Sequence, residues 1–217
     1  MRIVCMTNDA QLPMMKNMLN SALKAGFPME LFHCYLLSSN TEQAVYNTPE
    51  FKSITTRKLE VILDNMRYDP LVLWIDNDIV LFENCLEDIL RRPGSFVMQD
   101  DLWGACTGFF LARRSRTSLT TIQNSIEYLK LRPNGTENDQ HAFNAVRRGV
   151  WGMTVSLLPQ DEYPNGKVYF EDGRRAHAKM VHCNFLTSTS EKVQRLKSSG
   201  FWDEADAAFS MVRTYSI

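Results

Sequence analysis

Leu71-Val72-Leu73-Trp74-Ile75 is five apolar residues in a row, and it runs straight into Asp76-Asn77-Asp78 before apolar character resumes at Ile79-Val80-Leu81-Phe82. A continuous apolar run without alternation marks a strand buried on both faces, and such strands belong inside mostly parallel sheets. Two carboxylates at the end of a buried strand need compensation. Like charges in a poorly solvated place repel unless a cation or hydrogen-bond donors intervene. In extended backbone Asp76 and Asp78 project to one side and Asn77 to the other, so the pair is a candidate site for a hard cation. With 13 Asp in 217 residues, about 0.8 Asp-x-Asp triplets arise by chance, so the triplet carries weight only through the strand in front of it.

The rest of the chain follows the same logic. Arg2–Met6 is a short apolar run ending in Thr7-Asn8-Asp9, and Leu12, Met15, Leu19 and Ala22 then recur at helical spacing up to Gly26-Phe27-Pro28. Leu31–Leu37 reads as a second strand, and Phe51, Ile54, Leu59, Ile62, Leu63 and Met66 stripe a second helix that closes before Tyr68-Asp69-Pro70. Beyond the acidic pair, Ser95–Met98 and Gly108–Ala112 are strand candidates. Leu119, Ile122, Ile126 and Leu129 stripe a helix, and Glu137–Arg148 reads as another with Phe143 and Val146 inward. Short strand candidates follow to about Cys183, and helices over roughly Ser188–Ser198 and Asp203–Val212 close the chain. The alternation predicts one α/β domain with a Rossmann-like, mostly parallel central sheet flanked by helices. Ligands in such folds gather at the carboxyl ends of the strands, which directs attention to the loops after Met6 and Ile75.

Charge and cysteine usage narrow the partners. Lys plus Arg number 24 against 25 Asp plus Glu, a formal charge of −1, which leaves no electrostatic footprint for nucleic acid or an anionic membrane. Arg113/Arg114/Arg116, Arg147/Arg148 and Arg174/Arg175 read as solvated surface. Cys5, Cys34, Cys85, Cys106 and Cys183 are odd in number and widely spaced, which fits neither a disulfide framework nor a zinc ribbon and points to a reducing, cytoplasmic setting. No apolar run approaches the ~18 residues of a membrane span, and the apolar stretch after Arg2 is too short for a signal peptide. Asn134-Gly135-Thr136 reads as a turn.

The order of motifs carries more. V-L-W-I-D-N-D-I-V-L-F-E-N is followed by F-V-M-Q-D-D, T-G-F-F-L-A-R-R-S, N-D-Q-H-A-F-N and V-H-C-N-F, with a Lys and a Trp beyond. This succession resembles the nucleotide-diphospho-sugar transferases of the glycosyltransferase A fold. The resemblance implies a single domain of that fold over residues 1–217, with a donor-nucleotide half of about 1–112 and a smaller, irregular acceptor-side region of about 113–217, alone or as part of a longer multidomain chain. It implies transfer of a hexosyl or deoxyhexosyl unit from a UDP-sugar donor to a hydroxyl of a glycan acceptor. Asp76 and Asp78 match the family's metal-binding pair and His182 its further ligand. A mixed carboxylate and imidazole shell favours Mn²⁺ over Mg²⁺. Thr7, Asn8 and Asp9 stand where the family holds the uridine, and Arg57 matches a basic residue that reaches the donor. Asn77 and Gly108 fall on the donor side, Asp100 at the donor sugar, Asp139 and Gln140 beside the reacting carbon, and Lys192 at a phosphate. Two departures stand out. Cys106-Thr107-Gly108 replaces the Asn-x-Gly of many relatives, and no Gly lies between His182 and Lys192.

Glycosyl transfer builds positive charge on the sugar ring and negative charge on the departing diphosphate, which a divalent cation and Lys or Arg neutralise. For an inverting course Asp101 or Asp139 is the expected base; for a retaining one, Gln140 or Asp139 faces the cationic centre. Plainer readings stand beside these. His182 in Met180-Val181-His182-Cys183 also reads as a hydrogen-bonded structural residue, Asp139 as a helix cap through Thr136-x-x-Asp139, and Arg57 as solvated surface beside Lys58. Phe109-Phe110 reads as core rather than as a sugar platform. Asp76-Asn77-Asp78-Ile79-Val80-Leu81 also fits the first motif of the haloacid dehalogenase phosphatases, whose first Asp is a nucleophile assisted by Mg²⁺. That motif belongs on a first strand, whereas two strands precede it here. A nucleotide-sugar binding module without turnover is the third reading.

Overall fold

The computed structural model describes residues 1–38 and 48–217. The three apolar runs are β1 (Arg2–Asn8), β2 (Phe32–Leu37) and β3 (Leu71–Ile75), joined by α1 (Leu12–Lys24) and α2 (Pro49–Tyr68). Pro49 opens α2, where its missing N–H is harmless, and the Thr48 hydroxyl accepts from Phe51 N at 3.2 Å. Then come β4 (Ile79–Leu81), α3 (Leu86–Arg91), β5 (Phe96–Asp100), β6 (Ala105–Arg113), α4 (Arg116–Lys130), α5 (Asp139–Val146), β7 (Val155–Leu158), β8 (Met180–His182), α6 (Thr189–Ser198) and β9 (Arg213–Ser216).

Among the described residues, seven strands form one sheet in the order β7-β5-β6-β3-β1-β2-β9. Neighbours run parallel except β6, which is antiparallel to both β3 and β5. Alternate residues of the inner strands feed two cores. Ile3, Cys5, Leu73 and Ile75 pack with Met15, Met18 and Leu19 of α1, while Val4, Met6, Val72 and Trp74 pack with Leu59, Ile62 and Met66 of α2. Burial on both faces is the physical reason these strands read as unbroken apolar runs, each large side chain contributing about 1.5–3 kcal/mol. Phe109 and Phe110 of β6 are both buried in these cores.

Four expectations need correction. Residues 76–78 are not extended: Ile79 N donates to Asp76 O at 3.3 Å, closing a turn. The cap of α5 is Asn138, whose side chain accepts from His141 N while the His141 ring accepts from Asn138 N, so Thr136 and Asp139 form no capping box. Of the strand candidates before Cys183, only β7 and β8 form among the described residues, separated by a π-helical turn at Lys167–Glu171. Asp203–Val212 is not a helix. Asn17 and Asn20 of α1 hold it instead: Asn17 Oδ1 accepts from Asp203 N at 2.6 Å, and Asn20 Nδ2 donates to Asp203 O and Ala205 O at 2.9 Å each. A 3-10 turn at Phe209–Met211 then leads into β9, which pairs in parallel with β2 at the sheet edge.

Candidate functional site

The turn after β3 brings Asp76 and Asp78 to the floor of a cleft of about 690 Å³ at the carboxyl ends of the strands. The small β4–β8 ribbon places Ile79 opposite His182, so His182 meets the acidic pair from the other side. Asp76, Asp78 and His182 each offer one ligand atom, all within 4.8 Å of one another. Gly108 of β6 makes room for them. A Cβ there would lie 2.3 Å from His182 Cε1 and 2.9 Å from Asp76 Oδ2, closer than any side-chain carbon can come.

Neighbouring groups set the state of each ligand. Gln99 Nε2 donates to the carbonyls of Tyr163 and Pro164 at 3.1 and 2.9 Å, so its Oε1 is the acceptor presented to His182 Nδ1 at 2.8 Å. Nδ1 therefore carries a proton and Nε2 faces Asp78 Oδ1 at 3.2 Å. Lys192 Nζ stands 2.7 Å from Asp78 Oδ2. Burial disfavours ionised Asp78, but Lys192 and His182 outweigh it and hold the carboxyl well below the ordinary carboxylate range. Burial likewise opposes the imidazolium of His182, yet Asp78, and after it Cys106, lift its pKa well above the usual histidine value. Asp76 behaves differently, since burial raises its pKa despite the nearby Lys58 ammonium.

Lys58 is the link to the rest of the cleft. Its Nζ lies 2.9 Å from Asp76 Oδ1 and 2.9 Å from Asp139 Oδ2, and these two carboxylates raise its pKa against the opposing effect of burial. Trp74 Nε1 donates to the same Asp76 Oδ1 at 2.6 Å. Asp76 Oδ1 is thus engaged twice, and Oδ2 is the oxygen turned toward Gly108 and His182. Three carboxylates (Asp76, Asp78, Asp139) meet three cations (Lys58, Lys192, protonated His182), which leaves the cluster balanced. Oxygen and imidazole donors converging over a glycine cradle fit a divalent cation, which would take the place of the His182 Nε2 proton.

Further along, Gln140 Nε2 donates to Asp101 Oδ2 at 2.7 Å, and Asn184 Nδ2 donates to Asp101 Oδ1 at 3.0 Å. Burial raises the pKa of Asp101. Of the residues singled out from sequence, Asp76, Asn77, Asp78, Asp101, Gly108, Asp139, Gln140, His182 and Lys192 line the cleft. Asn77 turns its amide to Met6 O at 2.9 Å, tying the acidic turn to β1. Thr7, Asn8, Asp9, Arg57 and Asp100 do not line it. The Thr7 hydroxyl donates to Asn8 O, Asn8 Oδ1 accepts from Gln11 N, and Asp9 is exposed. Asp100 Oδ1 accepts from Leu102 N at 2.9 Å. Arg57 is exposed and pairs with Glu60 at 3.2 Å, so the basic residue of α2 that reaches the cleft is Lys58. Helical spacing carries the signal that separates the two: Lys58 stands four residues from both Ile54 and Ile62 on the apolar stripe.

A family model described as nucleotide-diphospho-sugar transferase matches residues 16–196. The chain is 25% identical over 211 residues to a UDP-galactose:fucoside alpha-3-galactosyltransferase of Dictyostelium discoideum, covering 79% of this chain and 31% of the relative. It is 21% identical over 188 residues to UDP-D-xylose:L-fucose alpha-1,3-D-xylosyltransferase 3 of Arabidopsis thaliana, covering 72% of this chain and 49% of the relative. The chain thus spans about a third to a half of the length of these curated relatives. Among solved structures, a glycosyltransferase involved in glycosylation of the major capsid of PBCV-1 superposes with a TM-score of 0.62 at 15% identity, covering 91% of this chain and all of that one. The galactosyltransferase LgtC, in complex with donor and acceptor sugar analogs, gives 0.62 at 14% identity over 92% and 96% of the two chains. These similarities establish a shared glycosyltransferase A type fold. No helix among the described residues is long and apolar enough to cross a membrane.

Proposed function

The chain belongs to the nucleotide-diphospho-sugar transferase family, and from that premise we propose that it moves a sugar from a UDP-sugar donor to a hydroxyl of a glycan acceptor, with a divalent cation at the cleft floor. The observation that carries this reading is the convergence of Asp76, Asp78 and His182 over Gly108. Those three side chains hold the cation, and the carboxylate and imidazole set suits Mn²⁺ better than Mg²⁺. When bound, the cation supplies a Lewis acid that neutralises charge gathering on a departing diphosphate.

The chain's own groups divide the remaining work along the cleft. Lys192, 2.7 Å from Asp78, is the ammonium placed to meet the diphosphate. Trp74 and Lys58 fix Asp76 by holding one of its oxygens. Lys58 also anchors Asp139, which with Gln140 flanks the sugar. Asp101 is joined to Gln140 on one side and to Asn184 on the other, and its raised pKa makes it a stronger proton acceptor than an ordinary carboxylate. For an inverting course it is the group we assign to the acceptor hydroxyl. Both curated relatives are named for a fucose acceptor and for different donor sugars. A terminal L-fucose is therefore the acceptor to test first.

A thermal-shift panel of UDP-sugars with and without Mn²⁺, followed by an assay for UDP release, tests the reading. Mn²⁺ and UDP together should stabilise the chain beyond either alone, and release should require the metal. Phosphate liberated from phosphomonoesters with UDP-sugars inert would favour the phosphatase. Stabilisation without release of UDP would favour a binding module.

A further inference from the structure

Phe109 and Phe110 are buried, so any aromatic surface for a sugar has to lie elsewhere. Two other rings stand on the rim of the cleft. Trp103 is 78% exposed and Phe185 38% exposed, both line the cleft, and their ring centroids are 5.7 Å apart at 52°. Trp103 sits in the turn after β5 and Phe185 in the segment after β8, regions 82 positions apart in sequence (185 minus 103). Resting on the glycosyl-transfer reading above, we propose that Trp103 and Phe185 form the acceptor subsite, a platform on which the terminal pyranose of the acceptor glycan lays its apolar C–H face.

Three observations carry this. First, the rim is held in backbone that ordinary folding does not favour. Among the described residues, Leu102 (φ 68°) and Phe185 (φ 62°) are the two non-glycine residues with left-handed φ, and both lie on this rim. Bulky residues rarely adopt that conformation, and where surrounding bonds enforce it the site is a functional candidate. Here the bonds are visible. Leu102 N donates to Asp100 Oδ1 at 2.9 Å and Asp101 N to Gly104 O at 2.9 Å. Second, the two loops are tied together by the polar groups the transfer uses. Asn184, next to Phe185, donates to Asp101 Oδ1 at 3.0 Å, and its own Oδ1 accepts from Gly166 N at 2.7 Å. Third, the surroundings match a sugar rather than a protein. A pyranose presents an apolar face ringed by hydroxyls, and here an exposed indole borders a cleft that Asp101, Gln140 and Asn184 also line. Two rings fall far short of the ~800 Å² per partner that a stable protein interface buries.

Asp101, two residues from Trp103 and bonded to Gln140, lines the same cleft, so a sugar on this platform would present its hydroxyls to that pair. Trp103 and Phe185 would then set acceptor affinity without touching the cation or the nucleotide.

The test compares the wild-type chain with Trp103→Ala, Trp103→Phe and Phe185→Ala, using Mn²⁺, UDP-sugar donors and methyl α-L-fucopyranoside with other methyl glycosides as acceptor probes. Trp103→Ala should raise the acceptor KM by roughly tenfold or more while kcat changes little, Phe185→Ala should raise it severalfold, and Trp103→Phe should recover most of the loss. All variants should bind UDP with Mn²⁺ as the wild type does, by calorimetry. An unchanged acceptor KM in Trp103→Ala overturns the platform and leaves glycosyl transfer standing. UDP release that no glycoside stimulates overturns it as well. A wild-type chain that neither binds nor releases UDP removes the underlying reading and the platform with it.

Discussion

On the cleft floor, Asp76, Asp78, Asp139, Lys58, Lys192 and His182 compensate one another at 2.7–3.2 Å. On the rim, Trp103 and Phe185 face water from loops bent through left-handed backbone. The floor rests on β3, β6 and β8, with α2, α5 and α6 supplying Lys58, Asp139 and Lys192. Each of its groups depends on the others, because a buried charge that loses its partner is left without solvent or counter-ion. The rim has few such dependencies. The contrast teaches that stability and activity respond together at the floor and separately at the rim.

The sharpest way to break that contrast is Asp78→Asn. It strands Lys192 and His182 together, so denaturant unfolding should report a loss of about 3–5 kcal/mol, and calorimetry should find no Mn²⁺ binding. Next comes Gly108→Ala. The added methyl has to displace His182 or Asp76, which should lower stability by about 1–3 kcal/mol and abolish tight cation binding. Trp74→Phe keeps the ring but removes the donor to Asp76, and Mn²⁺ affinity should fall by about tenfold, a loss of roughly 1.5 kcal/mol.

A pH series on the metal-free chain sharpens the same point. The folded pKa of Asp78 is depressed, so its contribution is fully present above about pH 4 and is lost as the pH falls further. That of His182 is raised, so its contribution is full below about pH 6.5 and is lost as the pH rises through the elevated folded pKa. Melting temperature should therefore show a plateau between these values with both limbs flattened in Asp78→Asn. The smallest expected effect is at the rim. Phe185→Gly relieves left-handed strain and should change stability by about 1 kcal/mol or less, in the favourable direction, with the wild-type pH profile. A large loss of stability there would erase the distinction between the two regions.

The fold was legible wherever local pattern and tertiary burial agree. β1, β2 and β3 announce themselves as unbroken apolar runs because both faces are covered, and α2 and α4 because their stripes meet the sheet. Reading failed where partners are remote. Nothing between Asp203 and Val212 reveals that Asn17 and Asn20 take up its backbone groups and prevent a helix. The acidic triplet was legible as a convergence, and its Asp-Asn-Asp residue types suit the turn that Ile79 N closes as well as they suit a strand end, so residue types alone did not choose between the two. Arg57 and Lys58 show the same limit at the site. Adjacent basic residues look alike in composition, and only their angle on the helix sends one to Glu60 and the other to Asp76 and Asp139. Trp103 and Phe185 carried no pattern at all, since their proximity comes from loops far apart in sequence.

A crystal structure with Mn²⁺ and UDP, with anomalous scattering measured to locate the manganese, tests the central claim most directly. The account predicts an anomalous peak at about 2.0–2.2 Å from a carboxylate oxygen of Asp76, one of Asp78 and Nε2 of His182, beside the diphosphate. No peak there, with Lys58 and Lys192 still seated on Asp76 and Asp78, would contradict it.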